Sequence, residues 1–115
     1  MSHRIIEPQE LSRSCNELLV MAAIDRGAGH GYQLALDVEE LSGGAFRFNH
    51  GTLYPILHRL EEKGLVVGSW SDDSGGGRRR KSYALTGKGE KHMAVEREAW
   101  REFFRCFWPM VEDDR

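Results

Sequence analysis

The run Asn49-His50-Gly51-Thr52-Leu53-Tyr54-Pro55-Ile56-Leu57-His58-Arg59-Leu60-Glu61-Glu62-Lys63-Gly64-Leu65-Val66 constrains the fold more than any other stretch of the chain. Leu53, Ile56, Leu57 and Leu60 recur at i, i+3, i+4 and i+7, which lines one face of an α-helix. Asn49 or Thr52 supplies a side-chain oxygen to cap the start, and Gly64 can take the left-handed conformation that ends it. Pro55 is tolerable if the helix begins near Thr52, where first-turn N–H groups lack partners anyway. If it begins at His50, Pro55 should bend it. The face opposite the apolar stripe carries Asn49, Thr52, Tyr54, His58 and Arg59, all able to hydrogen-bond outside the fold. Taken alone, such a helix fits a solvated surface as well as a binding surface.

The flanking sequence supplies the context. Pro8 stops any helix before about residue 9. From Leu11 to Arg26 the pattern is helical, with Ser12 or Ser14 as N-cap, and Leu18 to Ile24 is apolar nearly all round, as in a central core helix. His30-Gly31-Tyr32 leads into a second helix with Tyr32, Leu34, Ala35, Val38 and Leu41 on or near its buried side. Ser42-Gly43-Gly44 breaks that pattern, and Phe46 and Phe48 anchor the loop that follows. Two β-like runs, Leu65 to Ser71 and Lys81 to Leu85, come after the opening helix. Between them Gly75-Gly76-Gly77-Arg78-Arg79-Arg80 cannot hold a packed structure and marks a hairpin tip with arginines just beyond it. Thr86 caps a last helix expected to run to Phe107 or Trp108, where Pro109 stops it: about 20 residues, or roughly 30 Å. Its stripe is Met93, Trp100, Phe103, Phe104, Phe107 and Trp108.

Composition narrows the class. At 115 residues, 40% hydrophobic and 30% charged, the chain is one soluble globular unit. It has no run of the length a membrane span needs and no signal-peptide core, so a cytoplasmic protein is expected. The net charge of −2 hides an asymmetry: residues 17–48 sum to −3, residues 49–91 to +3 and residues 92–115 to −2. The positive charge lies in the segment of the opening helix and the hairpin, a local footprint for an anionic partner.

Three helices, a strand, a glycine–arginine tip, a strand and a long helix make a mostly α chain with a small β-hairpin. That order is the winged helix-turn-helix followed by a long C-terminal helix. Its recognition helix enters the major groove with donors on its outer face. Arg78, Arg79, Arg80 and Lys81 on the wing would neutralise phosphates and release counterions, while Asn49, Thr52 and Tyr54 could donate to backbone or base edges. The bland alternative is a solvated basic loop on some other α/β domain. The boundaries expected are a winged-helix DNA-binding domain over 1–86, with its wing at about 65–85, and a dimerisation helix with a short tail over 87–115.

The same residues resemble a known family. His30-Gly31-Tyr32-x-Leu34, then Gly51-Thr52-Leu53-Tyr54-Pro55-x-Leu57-x-Arg59-Leu60-Glu61-x-x-Gly64-Leu65-Val66, then Gly77-Arg78-Arg79-Arg80-Lys81-x-Tyr83-x-Leu85-Thr86-x-x-Gly89 are similar to the PadR family of bacterial transcriptional regulators. The likeness covers roughly residues 11–104. It implies a homodimeric repressor whose last helix dimerises and whose members often respond to a small aromatic or hydrophobic effector. By position, Thr52, Tyr54 and Arg59 would be recognition-helix contacts and Arg78 to Lys81 wing contacts. Tyr32 would reach a phosphate, or else pack in the core with its hydroxyl wet. Ser82 stands where the family commonly has an aromatic residue, and the wing tip is stretched by extra glycines. The short end places the chain with compact members that have a single C-terminal helix.

The aromatic stripe reads independently as an interface. A rod of about 30 Å projects past a small domain and would leave a bare apolar patch of several hundred Å² on a monomer. Burial of Met93, Trp100, Phe103, Phe104 and Phe107 against a second copy, and against that copy's first helix around Leu11 and Leu18, removes it. A two-fold dimer would set its recognition helices roughly 34 Å apart and predict a palindromic operator. Trp100, Phe103 and Phe104 could also line a site for a planar hydrophobic effector; the competing reading is interface core alone.

Other classes have less to stand on. Five scattered histidines without HExxH or a nucleophile–base set argue against an enzyme, and neither a cofactor nor a metal is called for. The alternative regulator is a redox- or metal-responsive one in which Cys15 and Cys106 meet across a dimer, against two thiols acting as small hydrophobes.

Overall fold

The computed structural model of the chain describes residues 6–71 and 80–113. Helices α1 (Leu11–Asp25), α2 (Gly31–Leu41) and α3 (His50–Glu62) precede strands β1 (Val66–Ser71) and β2 (Arg80–Leu85), and α4 (Gly87–Val111) closes the fold. This is a winged helix-turn-helix with a long C-terminal helix. No helix of the described residues is long and apolar enough to cross a membrane.

The core forms where the helical stripes converge. Val20 and Met21 of α1, Leu34 and Val38 of α2, and Leu53, Ile56, Leu57 and Leu60 of α3 are buried together, closed by Leu65, Val66, Tyr83 and Met93. Met93 therefore belongs to this chain's own core and not to the exposed stripe where it was expected. Leu18, also expected at a seam between copies, is half-buried against the same core.

Each end of α3 has its own device. Asn49 is the cap, its Oδ1 accepting from Thr52 N at 2.8 Å. The helix thus begins at His50 and runs unbroken through Pro55, whose missing N–H leaves the Gly51 carbonyl without an i+4 donor. At the other end Gly64 adopts φ +74°. Leu65 N then donates to Leu60 O at 2.9 Å and Gly64 N to Glu61 O at 3.0 Å, the paired bonds of a Schellman stop.

Several sequence expectations need correcting. Neither Ser12 nor Ser14 caps α1: a 3-10 turn, Pro8–Glu10, leads into it, and no side-chain cap bond forms at Glu10. Ser14 is instead buried, where its hydroxyl accepts from Trp100 Nε1 at 3.0 Å. Tyr32 and Leu41 lie on the exposed side of α2, and Phe46 is exposed while Phe48 anchors its loop. Proline does not stop α4, which passes Pro109 and ends at Val111. Exposure explains the tolerance, because water can satisfy the Arg105 carbonyl that Pro109 leaves free.

The hairpin pairs antiparallel, Val66 with Leu85, Gly68 with Tyr83 and Trp70 with Lys81. Residues 72–79 lie outside the described residues, and with them the expected contacts at Arg78 and Arg79. Thr86 caps α4 as expected, accepting from Gly89 N at 2.9 Å while its hydroxyl donates to Gly64 O at 2.7 Å. Gly89 is where α4 meets the strand: a Cβ there would overlap the Leu65 carbonyl. The 25 residues of α4 span roughly 37 Å, and its last turns are exposed.

Candidate nucleic-acid interface

The wing face that packs on the core does not end there. Val66 and Leu85 sit at the core, Gly68 and Tyr83 at its edge, and Trp70 and Lys81 beyond it, all on one side of the hairpin because strand side chains alternate. This outward continuation forms one wall of a cleft of about 520 Å³. The opposite wall is the start of α2 and the first turns of α3, with His30, Gly31, Tyr32 and Tyr54, and Arg80 stands at its mouth.

Short contacts hold the walls in register. Tyr83 N donates to Gly29 O at 2.7 Å, and Ser82 Oγ lies 3.1 Å from His30 Nδ1. Ser82, the departure from the family pattern, thus serves as the small polar partner of His30. Gly31 leaves room for the ring of Tyr83, which would stand 3.1 Å from any Cβ there. His50 Nε2 is 3.2 Å from the Tyr32 carbonyl, and its ring packs on Tyr54 at 5.7 Å. Three large rings remain open to solvent: Tyr32 is 61% exposed, Tyr54 46% and Trp70 54%.

The expected contact residues divide. Tyr32, Thr52, Tyr54 and Arg80 face outward around the cleft and the start of α3, the side chain of Thr52 making no hydrogen bond among the described residues. Asn49 is at the same end but spends its oxygen on the cap. Arg59 turns the other way, its Nε 3.2 Å from Oε2 of the buried Glu17 of α1. Lys81 is matched within the fold, its Nζ 3.1 Å from Glu61 Oε1. That bond raises the Lys81 pKa above its ordinary value, and burial does the same to the Tyr83 phenol. Sequence reasoning missed His30, Trp70 and Tyr83; the alternation of Val66, Gly68 and Trp70 along one strand face was the available signal.

At the far end of the molecule the rings of α4 pack against one another along the helix. Trp100 lies 5.3 Å from Phe103, and Phe103 lies 5.2 Å from Phe107. Trp100, Phe103 and Leu11 are half-buried, whereas Phe104, Phe107, Trp108, Met110 and Val111 are exposed. Cys106 is exposed on the same helix, and burial pushes the pKa of the Cys15 thiol up, away from the reactive thiolate. Among the described residues no three His, Cys, Asp or Glu side chains gather as a metal site requires.

Comparison with known proteins agrees with this architecture. The model of the transcriptional regulator PadR-like family matches residues 20–95, from the core of α1 through the wing into α4. A protein named as a transcriptional regulator in Mycobacterium tuberculosis is 34% identical over 97 residues, 84% of this chain and 86% of that protein. Among solved structures, a transcriptional regulator from Clostridium thermocellum superposes with a TM-score of 0.79 at 19% identity, over 90% of this chain and 99% of that one. Bacillus subtilis PadR, solved in complex with operator DNA, has a TM-score of 0.62 at 21% identity, over 70% of this chain and 46% of that one. At those identities the two structures speak for the fold alone. The family match and the Mycobacterium relative settle membership: the chain belongs to the PadR-like family of transcriptional regulators.

Proposed function

We propose that this protein binds double-stranded DNA as a homodimer and represses transcription from a palindromic operator in the cytoplasm. The observation that carries the DNA-binding reading is the cleft. It sets the exposed end of α3, with Thr52 and Tyr54, beside a wing strand that begins at Arg80. A helix of this width fits the major groove, about 12 Å wide, while cations on the wing follow the phosphates. Hydroxyls at Tyr32 and Tyr54 are suited to donating to the sugar–phosphate backbone. That Bacillus subtilis PadR, which shares this fold, was solved in complex with operator DNA supports DNA as the partner.

Dimerisation is supported by the exposed rings on the last turns of α4, which a second copy would cover. A small planar hydrophobic effector would bind at Trp100, Phe103 and Phe104 in the dimer centre and release the operator. Gel-shift titration of a random duplex over a salt series tests the DNA-binding part. Affinity that falls steeply with salt supports it, and absence of binding at low salt contradicts it. Quenching of tryptophan fluorescence by a panel of planar aromatic compounds tests the effector site; no response to any of them counts against it.

A further inference from the structure

A salt bridge runs across the wing where the sequence places a glycine. Glu61 sits in the last turn of α3 and Lys81 in β2, and their bridge passes over Gly68 of β1. A Cβ at Gly68 would overlap Lys81 Cε and stand 3.1 Å from Glu61 Oε2. A side chain at Gly68 would push the flexible end of Lys81 aside from the position in which the pair closes. The ammonium is also flanked by two rings, 5.3 Å from the centre of Tyr83 and 5.7 Å from that of Trp70.

We propose that Glu61, Lys81 and Gly68 form a strap that fixes the wing against the recognition helix, so that Glu61 and Lys81 act as positioning residues and not as DNA contacts. The reason for a strap is mechanical. A two-stranded hairpin is marginal without packing, and this one leaves the core beyond Gly68. The bridge is a side-chain hydrogen bond that joins wing strand to α3. It ties the last turn of α3 to Lys81, a residue of the cleft wall that also carries Trp70 and Arg80. A lysine already matched by a carboxylate also has little charge to offer a phosphate, which separates its role from that of Arg80.

The inference rests on the DNA-binding reading, and the sign of one substitution tests it. Glu61→Ala removes a negative charge beside the DNA-binding face, so charge alone predicts tighter binding and a steeper salt dependence. The strap predicts the reverse: binding weakened about five- to tenfold, the net scale of one hydrogen bond between partly solvated groups, with the salt slope unchanged. Gly68→Ala, which alters no charge, should weaken binding in the same direction but less, because the flexible end of Lys81 can move aside. The charge-swapped double variant Glu61→Lys/Lys81→Glu should recover most of the loss. Hydrogen exchange of the full-length protein without DNA gives a second readout, in which β1 and β2 amides near Trp70 and Lys81 exchange faster in E61A and G68A while those of α1 do not. Equal or tighter DNA binding by E61A overturns the strap, and so does unchanged wing exchange in both variants. If the wild type binds no DNA, the functional reading fails, and the exchange experiment still decides whether the strap exists.

Discussion

Arg59 of α3 turns its Nε onto Oε2 of Glu17 in α1, 3.2 Å away, and so faces the protein instead of the groove-facing surface. Lys63, one turn on, reaches the other oxygen of the same carboxylate at 3.1 Å. Because Glu17 is buried, losing a cation there leaves a desolvated charge undercompensated. Arg59→Ala should lower stability by about 1–2 kcal/mol, less than a fully buried pair because Arg59 is partly solvated and Lys63 remains. A urea denaturation midpoint checks this, and the salt slope of DNA binding by the folded variant should stay at the wild-type value.

The start of α4 gives a sharp contrast between two nearby glycines. A Cβ at Gly89 would collide with the Leu65 carbonyl, whereas one at Gly87 meets nothing within 4 Å. Gly89→Ala is expected to cost at least about 2 kcal/mol, since backbone must move, and Gly87→Ala to be neutral or slightly stabilising. Thermal melts of the two variants side by side decide it.

Affinity and specificity should separate by element. Replacing Arg78, Arg79 and Arg80 with alanine is expected to weaken binding to every duplex and to lower the salt slope by roughly one for each phosphate no longer neutralised. Thr52→Ala should instead cost about 1–3 kcal/mol on the cognate site and little on random DNA. Titrations of both variants on both duplexes check the division; equal losses for Thr52→Ala on the two would refute it.

The exposed end of α4 predicts the oligomeric state. The wild type should sediment at twice the chain mass, and Phe107→Glu should shift it to the monomer, since a charge in an apolar seam is costly. The monomer is expected to bind a two-half-site operator at least about a hundredfold more weakly, because only one half-site is engaged at a time.

The bridge to Glu61 also fixes a pH dependence. A lysine whose pKa is raised by folding contributes stability that is fully present below its unfolded value of about 10.5 and is lost only as pH rises through the higher folded value. The stability difference between wild type and Glu61→Ala should therefore stay flat on the alkaline side from about pH 7 to 9 and shrink above about pH 10.5. Denaturation midpoints of the two proteins across that range provide the check.

Local rules carried much of this fold. Leu53, Ile56, Leu57 and Leu60 announced α3, Gly64 its stop and Thr86 the start of α4, because caps and helical stripes depend on neighbours within a few residues. What could not be read was partner choice over long separations. Arg59 lies on the flank of the stripe, and only the presence of Glu17, 42 residues away, turns its flexible chain inward. Adjacency groups Lys81 with the wing arginines, yet in a strand adjacent residues face opposite sides, and its side points at Glu61. Tyr32 was a choice between core and surface that spacing left open. Trp70 carries no local signal of its exposure, because an alternating strand reads as core-facing and only the fold shows the hairpin outrunning the core.

Reading of DNA by α3 and the wing as a pair of half-sites is most directly tested by selection. Fragments bound by the protein are selected from the source genome, and affinity is measured for the selected duplex and for its scrambled version at one salt concentration. The expected result is a selected site with two-fold symmetry and half-sites about one helical turn apart, bound at least about 10³-fold more tightly than the scrambled duplex. Equal affinity for the two duplexes, or no enrichment of any sequence, would contradict it.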